Sequence, residues 1–131
     1  MRKKTKNDGS VLMVVVFAIA LLTAFVAGML QLNAEQIQLM KNEVFSAQAM
    51  AIAEAGLADA FSRIRNSPVP VNFSSSFGGG SYTVTMAGSP PATVSSTGTS
   101  PQGFVTRVAA DITVSSTSPY VIRIDNLRIN E

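Results

Sequence analysis

The 131-residue chain contains no cysteine and no histidine, and only 14% of its residues are charged. These absences exclude Cys/His zinc sites, histidine-ligated haem, cysteine nucleophiles, the Ser-His-Asp triad and disulfide bonds. A soluble domain has about 25% charged residues, so this chain has few side chains that favour water. Its formal net charge of +2 is too small to indicate nucleic-acid binding. Its 47% hydrophobic content argues against disorder.

Proline is absent from the first 67 residues, and all six prolines lie between Pro68 and Pro119. Residues 10–65 are rich in alanine, leucine, methionine, glutamine and glutamate, which favour helix. Because proline disfavours helix at the preceding position, we expect the helix to end near Asn66. The remaining residues, 67–131, are rich in serine, threonine and glycine and predict a separate β-sheet domain.

The helical region begins with a stretch of membrane-spanning length. Val11 to Leu30 comprises 20 residues without a charge, and a bilayer core needs about 20 apolar residues in a helix. Residues 1–9 carry a net side-chain charge of +3, which predicts a cytoplasmic N-terminus and an exported C-terminal part. A single-pass anchor and a secretory signal peptide cut near Gly28 are the alternatives, although the stretch exceeds the usual signal-peptide core of about 7 to 15 residues.

Residues 31–66 predict an amphipathic continuation of the helix. Apolar residues recur at spacings of three, four and seven and define a helix-packing stripe: Ile37, Met40, Val44, Ala47, Ala51, Ala58 and Phe61. We expect part of this stripe to pack on the C-terminal sheet and the remainder on other partners. Glu54 interrupts the stripe, either at its edge or as a partner for a basic group of a neighbouring subunit. Gly56 costs about 1 kcal/mol in a helix interior relative to alanine, so helix propensity does not explain it.

Alternating polar and apolar residues predict strands over 81–87, 104–114 and 120–129, with a weaker strand over 92–97. In the predicted strand over 120–129 the alternation changes phase near Asn126, which predicts a bulge. The fold class is therefore α+β. A long N-terminal α-helix, with a transmembrane first half and an amphipathic second half, packs on a small antiparallel sheet of three or four strands. Only the amphipathic half is available to cover the sheet's apolar face.

No convincing active site emerges from the polar residues. Glu43, Glu54 and Asp59 could be imagined as a carboxylate cluster. However, Glu54 and Asp59 are five positions apart and do not share a helix face, so we interpret them as solvated charges. The glycine run 78–80 lacks the Gly-Lys-Ser/Thr ending of a phosphate loop and reads as a turn.

Asp111 and Asp125 lack the clustered Asp/Asn loop of a calcium site. We expect them to form surface pairs with Arg107 and Arg123, respectively, each contributing little. The sequence thus predicts no enzymatic activity, no cofactor and no metal.

A basic leader, Lys3 to Gly9, is followed at once by the apolar residues Ser10 to Val16. With the long helix and the small sheet, this arrangement resembles type IV pilin-like proteins with a class III leader. The segment 47–57, AQAMAIAEAGL, is similar to the Ala-Glu-Ala-rich segment of the PilX/GspK-type minor pilins and pseudopilins.

The resemblance implies cleavage between Gly9 and Ser10 by prepilin peptidase and N-methylation of Ser10. It also implies three partners: other pilin subunits through the N-terminal helix, an inner-membrane assembly platform, and lipid before assembly. The protein would first lie in the bacterial inner membrane, with its C-terminal domain periplasmic or exterior, and then in a filament. Without residues 1–9 the side chains carry a net charge of −1, so the apparent basicity belongs to the leader.

Main-group pilins carry glutamate at the fifth mature position, which here is Val14, and phenylalanine at the first, which here is Ser10. These departures resemble tip-type minor subunits. The expected function is a structural minor pilin or pseudopilin of a type IV pilus or type II secretion filament, near the filament tip. The alternative is a single-pass envelope protein with a small exported binding domain that does not polymerise.

Overall fold

The computed structural model describes residues 8–130, so residues 1–7 of the predicted leader lie outside the described part. One α-helix is followed by five strands, in this order: α1 Asp8–Asn66, β1 Phe73–Phe77, β2 Gly80–Ala87, β3 Thr93–Thr99, β4 Val105–Val114 and β5 Ile122–Asn130. The helix packs on the antiparallel sheet, which confirms the predicted α+β class. The sheet has five strands rather than three or four.

The chain divides into two compact units after Lys41. In the first unit the described residues are all exposed, including large apolar side chains such as Met13 (77%) and Leu30 (64%). Thr23, the one clearly polar side chain of residues 11–30, donates its hydroxyl to the Ile19 carbonyl at 2.8 Å. By length and composition α1 could cross a membrane, a test that signal sequences also pass. The long apolar helix is compatible with membrane anchoring.

In the second unit the sheet is an antiparallel meander in which each strand pairs with its neighbours in sequence. The β1–β2 hairpin turns at Gly78 and Gly79, whose φ angles are 58° and 80°. A two-residue turn with positive φ at both positions favours glycine, so the predicted turn at the glycine run is confirmed. Strand β1, with the sequence FSSSF, was not predicted because three successive serines hide the alternation.

The core lies between one face of the sheet and the last turns of α1. Register aligns Val84 with Ser96 and Val108 across β2, β3 and β4, and all three side chains are buried. Small and aliphatic residues of α1 cover them. The buried helix residues are Ala49, Ile52, Ala53, Gly56, Leu57, Ala60 and Ile64.

This covered helix face is not the one the sequence predicted. Val44, Ala47, Ala51 and Ala58 are exposed, while Phe61 is half-buried against the core. At about 100° per residue, the buried residues and the predicted stripe lie on nearly opposite sides of the helix. The part of the stripe that packs on the chain's own core is Phe61. The packing of the remainder on other partners stays a prediction.

Strand β5 contains a bulge next to the predicted position. Asp111 pairs with Asn126 and Ile112 pairs with Ile124, which leaves Asp125 as the extra residue on β5. A bulge shifts the side-chain alternation by one position. Apolar residues on both sides of the bulge therefore share the helix side of the sheet; they are Ile122, Ile124, Leu127 and Ile129.

Candidate functional site

Two glycines allow α1 and the sheet to approach closely. A Cβ added at Gly56 would overlap Ser96 Oγ and lie 2.7 Å from Cδ2 of Tyr82. A Cβ added at Gly98 of β3 would overlap backbone atoms of α1, the carbonyl oxygen of Ala49 and the amide nitrogen of Ala53. Position 56 therefore requires glycine, despite its unfavourable helix propensity, because a Cβ there would prevent the sheet from packing this closely on the helix.

A polar cluster beside these glycines attaches α1 to the first two strands. The hydroxyl of Tyr82 donates to Asp59 Oδ2 at 2.9 Å, and Arg63 Nε donates to Asp59 Oδ1 at 3.3 Å. The guanidinium of Arg63 lies 3.8 Å from the centroid of the Phe73 ring. Burial, and secondly the hydrogen bond to Asp59, raises the pKa of Tyr82. Asp59 is thus part of the helix–sheet attachment, and the expectation of a solvated charge there is wrong.

The other carboxylates do not converge on a site. Glu43 and Glu54 are exposed, and no group of three or more His, Cys, Asp or Glu within residues 8–130 could hold a metal.

The predicted pair of Arg123 with Asp125 is confirmed at 2.7 Å. A hydrogen bond from Thr113, and secondly one from Arg123, lowers the pKa of Asp125. Both partners are solvent-exposed, so the pair contributes little to stability.

The predicted pair of Arg107 with Asp111 is wrong. These residues lie four positions apart on β4, about 13 Å along a strand, which is too far for a direct contact. Arg107 donates to Ser95 Oγ at 2.7 Å instead. The Asp111 carboxylate accepts from Arg128 of β5 at 2.7 and 2.9 Å.

The apolar row of β5 is largely uncovered, although it faces the helix side of the sheet. Ile124, Leu127 and Ile129 are 51%, 53% and 48% exposed. Residues of α1 cover the three middle strands, whereas β5 forms the sheet edge. The sequence predicted a strand over 120–129. It missed that the last strand of a meander lies at an edge, which the strand order itself could have indicated.

Two separate pockets lie between this row and the side of α1. The first is lined by Phe61 and Arg65 of α1 together with Ile122 and Ile124. The second is lined by Glu43, Ala47 and Met50 of α1 together with Ile129. Each pocket combines apolar side chains with one charged group, basic in the first and acidic in the second.

The predicted cleavage site lies at the start of α1. Gly9 and Ser10 are helical and exposed, and a Cβ added at Gly9 meets nothing within 4 Å. Val14, at the position where main-group pilins carry glutamate, is 64% exposed. Neither the described backbone nor its side chains bury the predicted scissile bond.

No family model, no curated protein and no solved structure matches this chain. The molecule is defined by its own features: an α+β fold, an apolar helix of 59 residues and two uncovered apolar surfaces.

Proposed function

We propose that the protein is a structural minor pilin or pseudopilin subunit of a type IV pilus or type II secretion filament. Prepilin peptidase would process it, and it would lie near the filament tip. One observation carries the proposal. A single continuous helix exposes apolar side chains along its first half and packs small residues on an antiparallel sheet near its end. A subunit stored in lipid and then assembled through its helix requires both features.

The mechanism is an exchange of apolar environments. In the inner membrane, residues 11–30 contact lipid, and the helix pairs every backbone group internally. During assembly the platform moves the subunit out of the bilayer, and other pilin helices replace the lipid. The apolar side chains thus stay out of water at every stage, so the transfer has no large hydrophobic cost. The exported sheet remains in water and meets the partners.

The tip position is supported by the first mature residues. Cleavage after Gly9 would create a charged amino group at Ser10, and a charge in an apolar surrounding is costly unless it is paired. Val14 provides no carboxylate for a neighbouring amino terminus. Long runs of this subunit would therefore leave amino groups unpaired, which favours a few copies at one end of a filament.

The mass of the mature protein tests this proposal. The full chain is expressed in a bacterium that has prepilin peptidase, and its intact mass and N-terminal sequence are determined. We expect a start at N-methylated Ser10. A start at Met1 would overturn the proposal in favour of a single-pass envelope protein, and a start near Met29 would identify a secreted domain.

Two glycines of α1 provide a matched pair of variants. A Cβ at either Gly9 or Gly28 meets nothing within 4 Å, so neither substitution disturbs packing among the described residues. We expect Gly9→Leu to retain the leader and Gly28→Leu to lose it normally. The reverse pattern would indicate cleavage by signal peptidase near Gly28 and would contradict the proposal.

A further inference from the structure

A cavity of about 570 Å³ lies between the last turns of α1 and the loop that precedes β5. It adjoins the pocket beside Ile122 and Ile124, which encloses about 340 Å³. Both volumes fall within the range of small-ligand sites, about 300 to 1,000 Å³. We call the two together the Arg65 cleft, because four residues border both parts: Phe61, Arg65, Pro119 and Tyr120.

Arg65 is the one charged group among the described residues that line the cleft. It is exposed, and it forms no ion pair within the described part of the chain. Arg63, by contrast, is bound to Asp59. Ser62 and Asn66 line the larger cavity, and their side chains can both donate and accept hydrogen bonds. The cleft therefore offers an anion a guanidinium and neutral hydrogen-bonding groups.

The rest of the cleft is apolar. Phe61, Tyr120 and Ile122 are half-buried and pack against the core, so this wall has a fixed shape. Ile124 borders the smaller pocket and is 51% exposed. An apolar side chain placed against Ile124 would remove apolar surface of both partners from water, which favours binding.

The position of Arg65 in the last turn of α1 makes it the group on which anion binding depends. The C-terminal end of a helix carries a partial negative charge, so the backbone there repels an anion. A guanidinium can bind a carboxylate through two parallel hydrogen bonds and offset that repulsion. A doubly charged phosphate would need more positive charge than one guanidinium provides. The cleft therefore favours a single carboxylate next to an apolar group.

We propose that the Arg65 cleft binds the C-terminus of a partner polypeptide whose last residue is apolar. A chain end carries its carboxylate and its last side chain on the same carbon atom, and capture of such ends is a known mode of peptide recognition. The carboxylate pairs with Arg65, the last side chain lies against Ile124, and the preceding peptide group hydrogen-bonds to Ser62 or Asn66. This binding goes beyond the proposed function, since it depends neither on leader cleavage nor on filament assembly.

An NMR titration of the full isotope-labelled chain in uncharged dodecyl maltoside micelles tests the proposal. The probe is an N-acetylated hexapeptide, Gly-Ser-Gly-Ser-Gly-Leu, and the control is the same peptide with a C-terminal amide. We expect the acid to bind about tenfold more tightly than the amide, the effect of a hydrogen bond to a charged group. Partition into the micelle would give the opposite order, because the amide is uncharged. Equal affinities, or no saturable shift at millimolar peptide, would overturn the proposal.

The positions of the shifted signals locate the site without any substitution. The largest changes should fall on amides of residues 61–66 and 119–124. Changes concentrated elsewhere would overturn the assignment to the Arg65 cleft.

Substitution of Arg65 tests the carboxylate contact. Arg65→Gln should abolish or reverse the preference for the acid, whereas Arg65→Lys should keep part of it, because lysine retains the charge but not the paired hydrogen bonds. Arg123→Gln is the matched control, since it removes the same charge from the opposite face of β5, where the side chain is 76% exposed. A preference that survives Arg65→Gln, or one lost equally in Arg123→Gln, would contradict a direct contact.

Substitution of the isoleucines tests the apolar contact. A hexapeptide ending in leucine should bind about fivefold more tightly than one ending in serine, as expected for partial burial of the side chain. Ile124→Ser should remove this preference. Ile129→Ser should keep it, because Ile129 is similarly exposed, at 48%, but lines the other pocket. The reverse pattern would place the last side chain in that other pocket and overturn the proposal. Unchanged thermal unfolding verifies that each variant is folded.

A small acid distinguishes a chain end from a free carboxylate. The probe 4-methylpentanoate has the carboxylate and the apolar group of a terminal leucine but no peptide group for Ser62 or Asn66. It should bind about fivefold more weakly than the hexapeptide, the effect of one neutral hydrogen bond. Equal binding would overturn the assignment to a polypeptide.

Discussion

Replacing Gly56 with alanine adds one methyl group where α1 packs on β2 and β3. The added Cβ would lie 2.7 and 2.9 Å from Cδ2 and Cγ of Tyr82 and would overlap Ser96 Oγ. The Tyr82 ring has little freedom to move away. Its hydroxyl is bound to Asp59 at 2.9 Å, and its ring meets that of Phe73 in a T-shaped contact with centroids 6.4 Å apart.

Two opposing terms set the size of the effect on the free energy of unfolding. At an open helix position, Gly→Ala stabilises a protein by about 1 kcal/mol. Forcing extra carbon atoms into a packed core costs about 1 to 3 kcal/mol, and several contacts below 3 Å favour the upper value. The net expectation is a loss of about 2 kcal/mol. For a unit of roughly 90 residues this corresponds to a Tm lower by about 8 to 16 °C.

The measurement is thermal unfolding of the full chain in detergent micelles, followed by near-UV circular dichroism of its tyrosines. Gly28→Ala is the control, because the same substitution on the same helix meets nothing within 4 Å; only the favourable helix-propensity term applies there, so its Tm should stay unchanged or rise. Adding Ser96→Gly to Gly56→Ala should recover part of the loss, since it removes the oxygen but not the ring contacts. A Gly56→Ala protein as stable as the unsubstituted chain would refute the close approach of helix and sheet.

Three further results are expected. Ser96→Ala should raise the Tm by about 4 to 8 °C, because its buried hydroxyl has no hydrogen-bond partner among the described residues and its loss removes about 1 kcal/mol of desolvation cost; a fall in Tm would contradict this. Gly98→Ala should lower the Tm more than Gly56→Ala and weaken the near-UV signal, since its methyl group would overlap helix backbone at Ala53; a smaller loss would show that the helix can shift. In a Tyr120→Phe background, absorbance at 295 nm should show Tyr82 ionising at higher pH in the folded chain than in urea. Because folding raises the pKa of Tyr82, the neutral side chain contributes stability that is complete below about pH 10 and is lost as the pH rises through the pKa of the folded chain. Equal titration midpoints for the folded chain and the chain in urea would contradict burial of the ring.

Most of the sheet could be predicted from the sequence, because its strands alternate. Tyr82 and Val84 are buried while Thr83 and Thr85 between them are exposed, which is the pattern that predicted β2. The phase change near Asn126 corresponds to the extra residue Asp125. Strand β1 could not be predicted. It pairs with β2 through the backbone, and its three serine side chains leave no hydrophobic pattern.

The covered face of α1 could not be read from periodicity, because both sides of the helix have apolar residues at helical spacing. Ile52, Leu57 and Ile64 form one series, and Val44, Ala51 and Ala58 form another. The predicted stripe followed the second series, although the first contains the larger apolar side chains. Two residues nevertheless distinguish the faces on physical grounds: Gly56 is useful only where a neighbouring backbone or ring must come close, and Glu54 cannot be buried without a partner.

Gly56 and Glu54 lie on opposite sides of the helix. The surroundings of each side explain the residue type found there. A helix with two apolar faces needs two covers to keep both out of water. The sheet covers the face that contains Gly56, and nothing among residues 42–130 covers the face that contains Glu54. The apolar row of β5 is likewise uncovered. Isolated domains seldom leave two such surfaces in water, so the apolar residues that made the helix face ambiguous in the sequence are the ones that the proposed assembly would bury.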